Sequence, residues 1–255
     1  MKCVRCGSQL RAEGPCPKCL MTSQSPTFAG LELLEPIGEG GMGTVYRARH
    51  VKLDRLVAVK FLSQSLPEHK QRFTLEARAL AKVKHPNVVQ IFDAGEEEGE
   101  AWLVMELVEG GTLASRIPLA PREAIRVMSA VCGALQAVHD AGLVHRDVKP
   151  ENVLITASGE VKLSDFGIAR QLSGQPVTRP GSAMGTPGFV APEVLAGEAA
   201  TVRADVYALG AMLRQLISAQ APLGEGTALP GGLDAIVRRA MAANPEGRFE
   251  SAREF

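Results

Sequence analysis

The deciding stretch of the chain reads His145-Arg-Asp-Val-Lys-Pro-Glu-Asn152, and Asp165-Phe-Gly167 follows it. Together they place two carboxylates, an ammonium group and a carboxamide at short intervals. Phosphoryl transfer asks a protein mainly for positioning and for neutralisation of charge, and less for covalent chemistry. The combination therefore favours transfer of a phosphoryl group from a magnesium nucleotide to a hydroxyl group. The four side chains belong to Asp147, Lys149, Asn152 and Asp165.

The bulk composition is that of an ordinary soluble protein. The chain has 255 residues, of which 45% are hydrophobic and 22% charged, so it can form one large domain or two lobes with their own cores. Its 28 basic and 28 acidic side chains give a formal net charge of zero, which gives no reason to expect binding to nucleic acid or to an anionic membrane. No apolar run is long enough to span a bilayer, and the N-terminus lacks the apolar segment of a signal peptide. We therefore expect a cytoplasmic protein with reduced cysteines.

Four of the five cysteines form two Cys-x-x-Cys pairs near the N-terminus, namely Cys3 with Cys6 and Cys16 with Cys19. Each pair can turn two thiolates toward one tetrahedral metal ion, and zinc suits such a ligand set. We therefore predict a structural zinc ion (Zn2+) in residues 1–20, a zinc-ribbon-like segment too small to fold without it, followed by a linker over 21–27. Two disulfides or one redox-active pair are the alternatives. The fifth cysteine, Cys132, lies in an apolar helical stretch and is predicted to be a buried small hydrophobic residue.

The pattern of elements changes from strands to helices along the chain. Alternating and β-branched stretches predict strands over 31–37, 45–48, 56–61, 88–92 and 101–107. An amphipathic helix is predicted within 68–83. Beyond Gly110 the pattern predicts helices over 121–140, 202–219 and 233–243, with short strands over 143–144, 153–155 and 161–163. Strands first and helices later predict an α+β protein of two lobes with a cleft between them.

A glycine loop lies between the first two predicted strands, with the order Gly38-x-Gly40-x-x-Gly43-x-Val45. Dinucleotide-binding folds use the same glycine spacing, but there the loop opens a helix. Here the loop runs into strand residues, so we expect a hairpin whose backbone amides close over phosphate groups. The next predicted strand contains the motif Val57-Ala-Val-Lys60.

These motifs, in this order, closely resemble those of the protein kinase family. The stretches from Ile37 to Tyr46 and from Asp165 to Arg170 look most like bacterial Ser/Thr kinases of the eukaryotic type, and Lys149 is the Ser/Thr form of the catalytic loop. The resemblance runs from about residue 28 to residue 255. It implies a two-lobed protein kinase fold, with a β-rich N-lobe over 28–110 and a helical C-lobe over 111–255, preceded by the small zinc ribbon.

The resemblance also implies an ATP site. Lys60 would hold the α- and β-phosphates, and Glu76 on the amphipathic helix would pair with Lys60 and fix its position. Met105 would be the gatekeeper at the back of the pocket, and the hinge from Glu106 to Val108 would bind adenine through backbone groups. The full set of implied nucleotide-binding residues is Ile37, Gly38, Glu39, Gly40, Gly41, Met42, Gly43, Val45, Ala58, Lys60, Met105, Glu106, Val108, Asn152 and Asp165.

The transfer half of the site is implied in the same way. Asp147 would be the base, or the positioning carboxylate, for the attacking hydroxyl. Lys149 would neutralise charge on the moving phosphoryl group. Asn152 and Asp165 offer the oxygen donors that suit Mg2+ or Mn2+.

Regulation and support of the site are implied by further matches. Arg146 is placed to pair with a phosphorylated activation loop, and Thr178 is the preferred phosphosite of that loop, modified by autophosphorylation through self-association. Thr186 matches a residue that contacts the catalytic aspartate and lysine. Asp205 matches the helix aspartate that supports the catalytic loop. Glu193 and Arg248 match a buried ion pair of the large lobe.

The expected function is therefore phosphorylation of protein substrates on Ser or Thr, with the zinc ribbon as a regulatory or docking module. A pseudokinase scaffold, a small-molecule kinase and a zinc-ribbon-mediated signalling adaptor are the alternatives. The pseudokinase alternative usually goes with loss of Lys60, Asp147 or Asp165, and all three are present. The stretch between Leu216 and Leu233 is short compared with the family pattern, which puts substrate docking there in question. A continuation past Phe255, with a membrane anchor as one option, is left open.

Overall fold

A computed structural model of the chain describes residues 27–40, 43–62, 70–97, 100–167, 188–218 and 229–255. The four predicted zinc ligands, Gly41 and Met42 of the glycine loop, and Thr178 and Thr186 lie outside the described residues. The described residues fall into two units. One contains the residues up to Ala81 together with Gln90–Leu107, and the other contains Lys82–Val89 and the residues from Val108 onward.

The described residues of the first unit form a six-stranded antiparallel sheet and one helix. Its strands are β1 (Thr27–Phe28), β2 (Leu31–Gly40), β3 (Gly43–His50), β4 (Arg55–Leu62), β5 (Ile91–Glu97) and β6 (Glu100–Glu106). They lie side by side in the order β1-β2-β3-β4-β6-β5. Helix α1 (Lys70–Ala81) packs against β5.

The sheet forms because its strands alternate apolar side chains between two faces. On β4, Val57, Val59 and Phe61 point to one face and join the apolar core of the unit. Trp102 of β6 and Phe28 of β1 complete that core, with Phe28 edge-on to Phe61 and to Trp102 at ring distances of 5.1 and 5.5 Å. The alternate residues of β4 point to the opposite face, and among them is Lys60.

The second unit is mainly helical. It contains β7 (Gly110–Thr112), α2 (Pro121–Asp140), β8 (Val153–Thr156), β9 (Val161–Leu163), α3 (Pro192–Leu195), α4 (Val202–Ser218) and α5 (Leu233–Ala240). Short 3-10 turns cover Leu113–Arg116, Pro150–Asn152 and Pro245–Gly247. Strands β7, β8 and β9 form a small antiparallel sheet in that order.

Helix α4 is buried over most of its length, which makes it the centre of the second unit. Every residue from Ala204 to Leu213 is buried, and apart from Asp205 and the hydroxyl of Tyr207 this stretch is apolar on all sides, as expected for a buried helix. Its Gly210 faces α5, where a Cβ atom would come within 2.7 Å of the Cβ of Ala240. The absence of a side chain at this position lets the two helices approach closely.

Most of the predicted elements are confirmed, and α2 has the predicted bounds. The strand predicted over 143–144 is wrong. Helix α2 ends there in a Schellman turn, in which Gly142 has a φ of 75° and the amides of Gly142 and Leu143 donate to the carbonyls of His139 and Val138. The chain leaves the helix through these hydrogen bonds, so it cannot run as a strand at the same place.

The strand predicted over 88–92 begins later, at Ile91. Residues 87–89 pair instead with β9 of their own unit, since the Val89 amide donates to the Leu163 carbonyl and the Leu163 amide donates to the Asn87 carbonyl. Helix α5 ends at Ala240, three residues before its predicted end, and strand β7 was not predicted.

Cys132 is half-buried on α2 rather than fully buried. Burial raises the pKa of its thiol to about 12, so it remains protonated and behaves as a small, weakly polar side chain. Within the described ranges, no helix combines the length and the apolar character needed to cross a membrane.

Candidate active site

The carboxylate of Asp205 fixes the backbone that leads into Asp147. Asp205 lies in the first turn of α4 and is 1% exposed. Its Oδ2 accepts a hydrogen bond from the His145 N–H and its Oδ1 accepts one from the Arg146 N–H, each at 2.8 Å. Arg146 has a φ of 67°, a left-handed conformation that non-glycine residues seldom adopt without support. The two hydrogen bonds supply that support, because one buried carboxylate holds both amides of the turn.

His139, near the end of α2, also binds this carboxylate. Its Nε2 lies 2.9 Å from Asp205 Oδ2, and both side chains are almost fully buried. An imidazole nitrogen that faces a carboxylate oxygen must donate, so Nε2 carries a proton. The other ring nitrogen, Nδ1, is buried and has no hydrogen-bond partner within the described part of the chain.

His145 is neutral and has a single tautomer. Its ring is fully buried, with Nδ1 3.2 Å from the Asp147 amide nitrogen and Nε2 3.0 Å from the Ser164 carbonyl oxygen. The Asp147 amide can only donate, so Nδ1 accepts and Nε2 donates. Burial lowers the pKa of His145, although the nearby charge of Asp205 acts in the opposite direction. The neutral ring therefore joins the backbone before Asp147 to the strand end before Asp165.

Asp147, Lys149 and Asn152 form one polar cluster. Lys149 Nζ lies 3.1 Å from Asp147 Oδ2, and the amide nitrogen of Asn152 donates to the same oxygen at 2.9 Å and to the Asp147 carbonyl at 2.7 Å. The 3-10 turn Pro150–Asn152 brings them together, because the chain reverses there and the backbone N–H of Asn152 donates to the Lys149 carbonyl. Both Asp147 and Asn152 are buried, so their charge and amide dipole act in a medium that screens weakly.

Asp165 is the second carboxylate brought to this region, and its backbone is also left-handed, with a φ of 54°. Two residues later, the Gly167 amide donates to the His145 carbonyl at 2.8 Å. A Cβ on Gly167 would lie only 2.8 Å from that same oxygen, so glycine is required there. The ring of Phe166 packs against the ring of His145 at 4.8 Å. These contacts tie the Asp165 segment to the loop that carries Asp147.

In the first unit, the strand register brings several of the predicted nucleotide residues together. Val45 of β3 is paired with Lys60 of β4, and Ala58 of β4 is paired with Met105 of β6. Lys60 is 9% exposed, and Ala58 and Met105 are also buried. Glu76 lies on α1 and is partly exposed. The pairing of Lys60 with Glu76 stays a prediction.

The glycine loop has a steric requirement that its sequence did not reveal. Gly43 has a φ of 131°, and a Cβ there would lie 1.8 Å from the carbonyl oxygen of Phe61. Among the described residues Gly38 has no such restriction, because its Cβ would meet the side chain of Val45 at an ordinary distance of 3.8 Å. Ile37 and Glu39 are exposed. The third glycine is therefore required by the packing of β3 on β4.

Comparison with known proteins agrees with this geometry. Residues 31–244 match the model of the protein kinase domain. The chain belongs to the protein kinase family.

Among curated proteins, the kinase domain is similar to Mycobacterium tuberculosis serine/threonine-protein kinase PknL, at 42% identity over 85% of this chain and 61% of PknL. It is also similar to PknB of the same organism, at 37% identity over 92% of this chain and 43% of PknB. The chain thus spans about half the length of these relatives. Among solved structures, the M. tuberculosis PknI kinase domain matches with a TM-score of 0.75 and 31% identity, over 91% of this chain and 96% of that one.

The second unit also contains the predicted ion pair of Glu193 and Arg248. Both Nη atoms of Arg248 lie 2.7 Å from the two carboxylate oxygens of Glu193, and Arg248 donates further to the carbonyls of Arg203 and Ala242. The Arg248 side chain is fully buried and that of Glu193 is 8% exposed. Burial by itself would raise the pKa of Glu193, but the hydrogen bonds from Arg248 and from the backbone outweigh it and hold the pKa below its ordinary value.

Two contributors to the kinase site were not found from the sequence, His139 and Ser164. His139 is one histidine on an amphipathic helix, and nothing in its neighbours distinguishes it from a core histidine. Ser164 donates its hydroxyl and its amide to the Asn152 carbonyl, at 3.0 and 2.8 Å, and its position directly before Asp165 was the only available signal.

We predict that the Glu193–Arg248 pair makes the kinase domain sensitive to acid. A lowered pKa means that the stabilisation is fully present above the ordinary carboxyl pKa of 4.5 and is lost as the pH falls through the lowered pKa. Glu193→Gln should reduce the free energy of unfolding by about 3 kcal/mol at pH 7, the low end for breaking a buried ion pair. Urea unfolding from pH 7 to pH 3 should show this difference shrinking below pH ~4.5.

Glu246→Gln is the matched control for this measurement, because Glu246 is 78% exposed and its pair with Arg203 is 3.3 Å long. It should change the unfolding free energy little at any pH. A wild-type advantage over Glu193→Gln that stays constant down to pH 3 would contradict the assignment.

Proposed function

We propose that the chain is an ATP- and Mg2+-dependent serine/threonine protein kinase that phosphorylates protein substrates. The observation that carries the proposal is the polar cluster of Asp147, Lys149 and Asn152, held by the turn that Asp205 fixes. The curated relatives named above are serine/threonine-protein kinases, which supports the same reaction for this chain. The lobe bounds 28–110 and 111–255, and a cytoplasmic location, are part of the proposal.

The residues on the sheet of the first unit are proposed to bind the phosphates and the adenine of ATP. The amides of the Gly38–Gly43 loop bind the phosphates, and Lys60, buried on β4, supplies positive charge to the α- and β-phosphates. Ala58 and Met105 line the adenine site with Val45. The backbone of Glu106 and Val108 provides its hydrogen bonds. Glu76 holds the ammonium group of Lys60 in place.

The donor set near Asp147 fits a hard divalent cation. The amide nitrogen of Asn152 is used by Asp147, so its amide oxygen is the atom that can meet a cation. Asp165 adds a carboxylate on a backbone that is fixed on both sides by its neighbours. Oxygen donors of this kind suit Mg2+ or Mn2+. When bound, the cation neutralises charge on the β- and γ-phosphates.

Asp147 and Lys149 carry the transfer itself. The carboxylate of Asp147 orients the Ser or Thr hydroxyl and accepts its proton as the new oxygen–phosphorus bond forms. The bond between the γ-phosphorus and the β–γ bridging oxygen breaks, and ADP leaves. Lys149, next to the same carboxylate, neutralises the negative charge of the moving phosphoryl group.

A direct test compares the transfer of ³²P from ATP to a protein substrate by the wild type and two variants. Lys60→Met and Asp147→Asn should each lower kcat by about 10²–10⁴-fold, the size of a general-base or charge-positioning contribution. The exposed Asp140→Asn should behave as wild type. Equal incorporation by wild type, Lys60→Met and Asp147→Asn would sink the proposal and favour a scaffold.

We further propose that Arg146 responds to phosphorylation of the activation loop at Thr178, through autophosphorylation between two copies of the chain. Arg146 has a left-handed backbone and directly precedes the catalytic aspartate in the chain. A phosphate group at Thr178 would add about −1.5 to −2 charge, enough to order a loop through arginine contacts. Thr186 is proposed to support the catalytic residues without being modified.

Mass spectrometry of the active protein should find phosphate on Thr178, and Thr178→Ala should lower activity toward added substrate. Thr178→Ala with full activity, together with unmodified Thr178 in the active wild type, would remove this part of the proposal. Arg146→Ala should lower the activity of the phosphorylated wild type and leave that of Thr178→Ala unchanged.

We also propose, from cysteine spacing alone, that Cys3, Cys6, Cys16 and Cys19 hold one structural zinc ion in a docking module for protein partners. Metal analysis of the purified chain should give about one zinc per molecule, the stoichiometry of a four-cysteine site. Cys3→Ser/Cys6→Ser should lose this metal, whereas Cys132→Ser should keep it. Unchanged metal content in the double variant would refute the four-cysteine site.

A further inference from the structure

Gln90 lies where three parts of the first unit meet, just before β5. Its side-chain Nε2 donates to the carbonyl of Ala81 at 3.1 Å and to the carbonyl of Ile91 at 3.0 Å. Its backbone N–H donates to the carboxylate of Glu106 at 3.2 Å. Its backbone carbonyl accepts the Glu106 N–H at 2.8 Å. One residue therefore contacts the last residue of α1, the start of β5 and the end of β6.

The contact with Ala81 fixes the C-terminal end of α1 from outside the helix. The last four carbonyls of a helix have no partner within it, and many helices solve this with a glycine that turns the chain back on itself. Here Lys82-Val-Lys84 follows, with no glycine. The Gln90 amide provides a donor for the final carbonyl, so the position of this end depends on a side chain 9 residues further along.

The contacts with Glu106 fix the end of β6. The pairing of β5 with β6 includes Ile91 opposite Met105, and the hydrogen bond from the Glu106 N–H to the Gln90 carbonyl extends it by one step. The Glu106 carboxylate accepts the Gln90 N–H. The side chain of Glu106 therefore has a structural contact, whereas its proposed role in nucleotide binding belongs to its backbone. The end of β6 is therefore held against Gln90 by both its backbone and its side chain.

We propose that Gln90 is a positioning residue that couples the nucleotide at Glu106 to the C-terminal end of α1. Glu76 lies little more than one turn before that end, so an end that is held also limits the movement of the carboxylate proposed to hold Lys60. The inference rests on the proposed kinase function, because it assigns nucleotide binding to Glu106. Coupling of this kind is reciprocal: a fixed helix end favours nucleotide binding, and bound nucleotide favours a fixed helix end.

Three substitutions separate the side-chain contact from the backbone contacts. Gln90→Met keeps the length of the side chain and removes the donor. Gln90→Glu keeps the shape, removes the donor and adds a negative charge near Glu106. Gln90→Lys keeps a donor that can reach the Ala81 carbonyl. Gln136→Met, at a partly exposed position of α2, is the matched control, since the amide there bonds Asp140 and the Arg253 backbone, far from α1 in sequence.

Hydrogen exchange of the full chain, with and without a non-hydrolysable ATP analogue and Mg2+, provides the test. Without nucleotide, the amides in the last turn of α1 should exchange about tenfold faster in Gln90→Met than in wild type, the effect of one lost hydrogen bond. The analogue should slow this exchange in wild type and in Gln90→Lys, but not in Gln90→Met or Gln90→Glu. In steady-state assays, kcat/KM for ATP should fall by about tenfold in Gln90→Met and recover in Gln90→Lys.

Wild-type exchange rates in the last turn of α1 of nucleotide-free Gln90→Met would overturn the positioning role. Equal protection by the analogue in wild type and Gln90→Met would overturn the coupling. A wild type that binds no analogue would overturn the coupling and the proposed ATP site together. A wild type that binds the analogue but transfers no phosphate would refute the kinase function alone, because the exchange experiment does not use the reaction.

Discussion

The arrangement of the catalytic loop depends on one buried carboxylate, that of Asp205. Two consecutive backbone amides donate to its two oxygens, and a histidine ring donates to one of them. A carboxylate in this position is costly to bury without partners, so its three donors and its burial support each other. The consequence is a left-handed turn at Arg146 that a loop in water would rarely hold. Asp147 is the next residue, and its direction is set by that turn.

Hydrogen bonds between uncharged groups connect the loop to the Asp165 segment. The neutral ring of His145 accepts the Asp147 amide on one side and donates to the Ser164 carbonyl on the other. The Gly167 amide returns to the His145 carbonyl. The two carboxylates proposed to act in phosphoryl transfer, Asp147 and Asp165, are thereby joined through backbone groups and one aromatic ring.

The sequence predicted the elements well where periodicity was long and failed where tertiary hydrogen bonds decided. Helix α2 was predictable because its apolar residues recur over five turns. The false strand over 143–144 had two apolar residues and no way to show that Gly142 would close a Schellman turn. Val88 and Val89 favour a strand, and they do pair, but with β9 of the second unit. Such a choice of partner is not written in the local pattern.

The candidate site was predictable to the extent that its residues stand in short motifs. Asp147, Lys149, Asn152 and Asp165 lie in such motifs, and the structure places the first three in one cluster. His139 and Gln90 act on the site through other residues, and each is a single polar side chain in an ordinary helix or strand end. Spacing identifies residues that share a loop, but it does not identify residues that reach a site from another part of the fold.

Gly38 and Gly43 of the glycine loop differ in how strongly the surrounding atoms restrict them. Gly43 is required by the carbonyl of Phe61, whatever the loop binds, whereas Gly38 has room for a larger side chain among the residues that the structure describes. The packing of the sheet therefore explains the glycine at position 43, whereas the proposed nucleotide binding would explain the one at position 38. A descendant of this chain that stopped using nucleotide would be free to replace Gly38 and would still keep Gly43. A glycine at position 43 would then indicate only that the sheet packs in this way, whereas a glycine at position 38 would indicate that the chain still binds nucleotide.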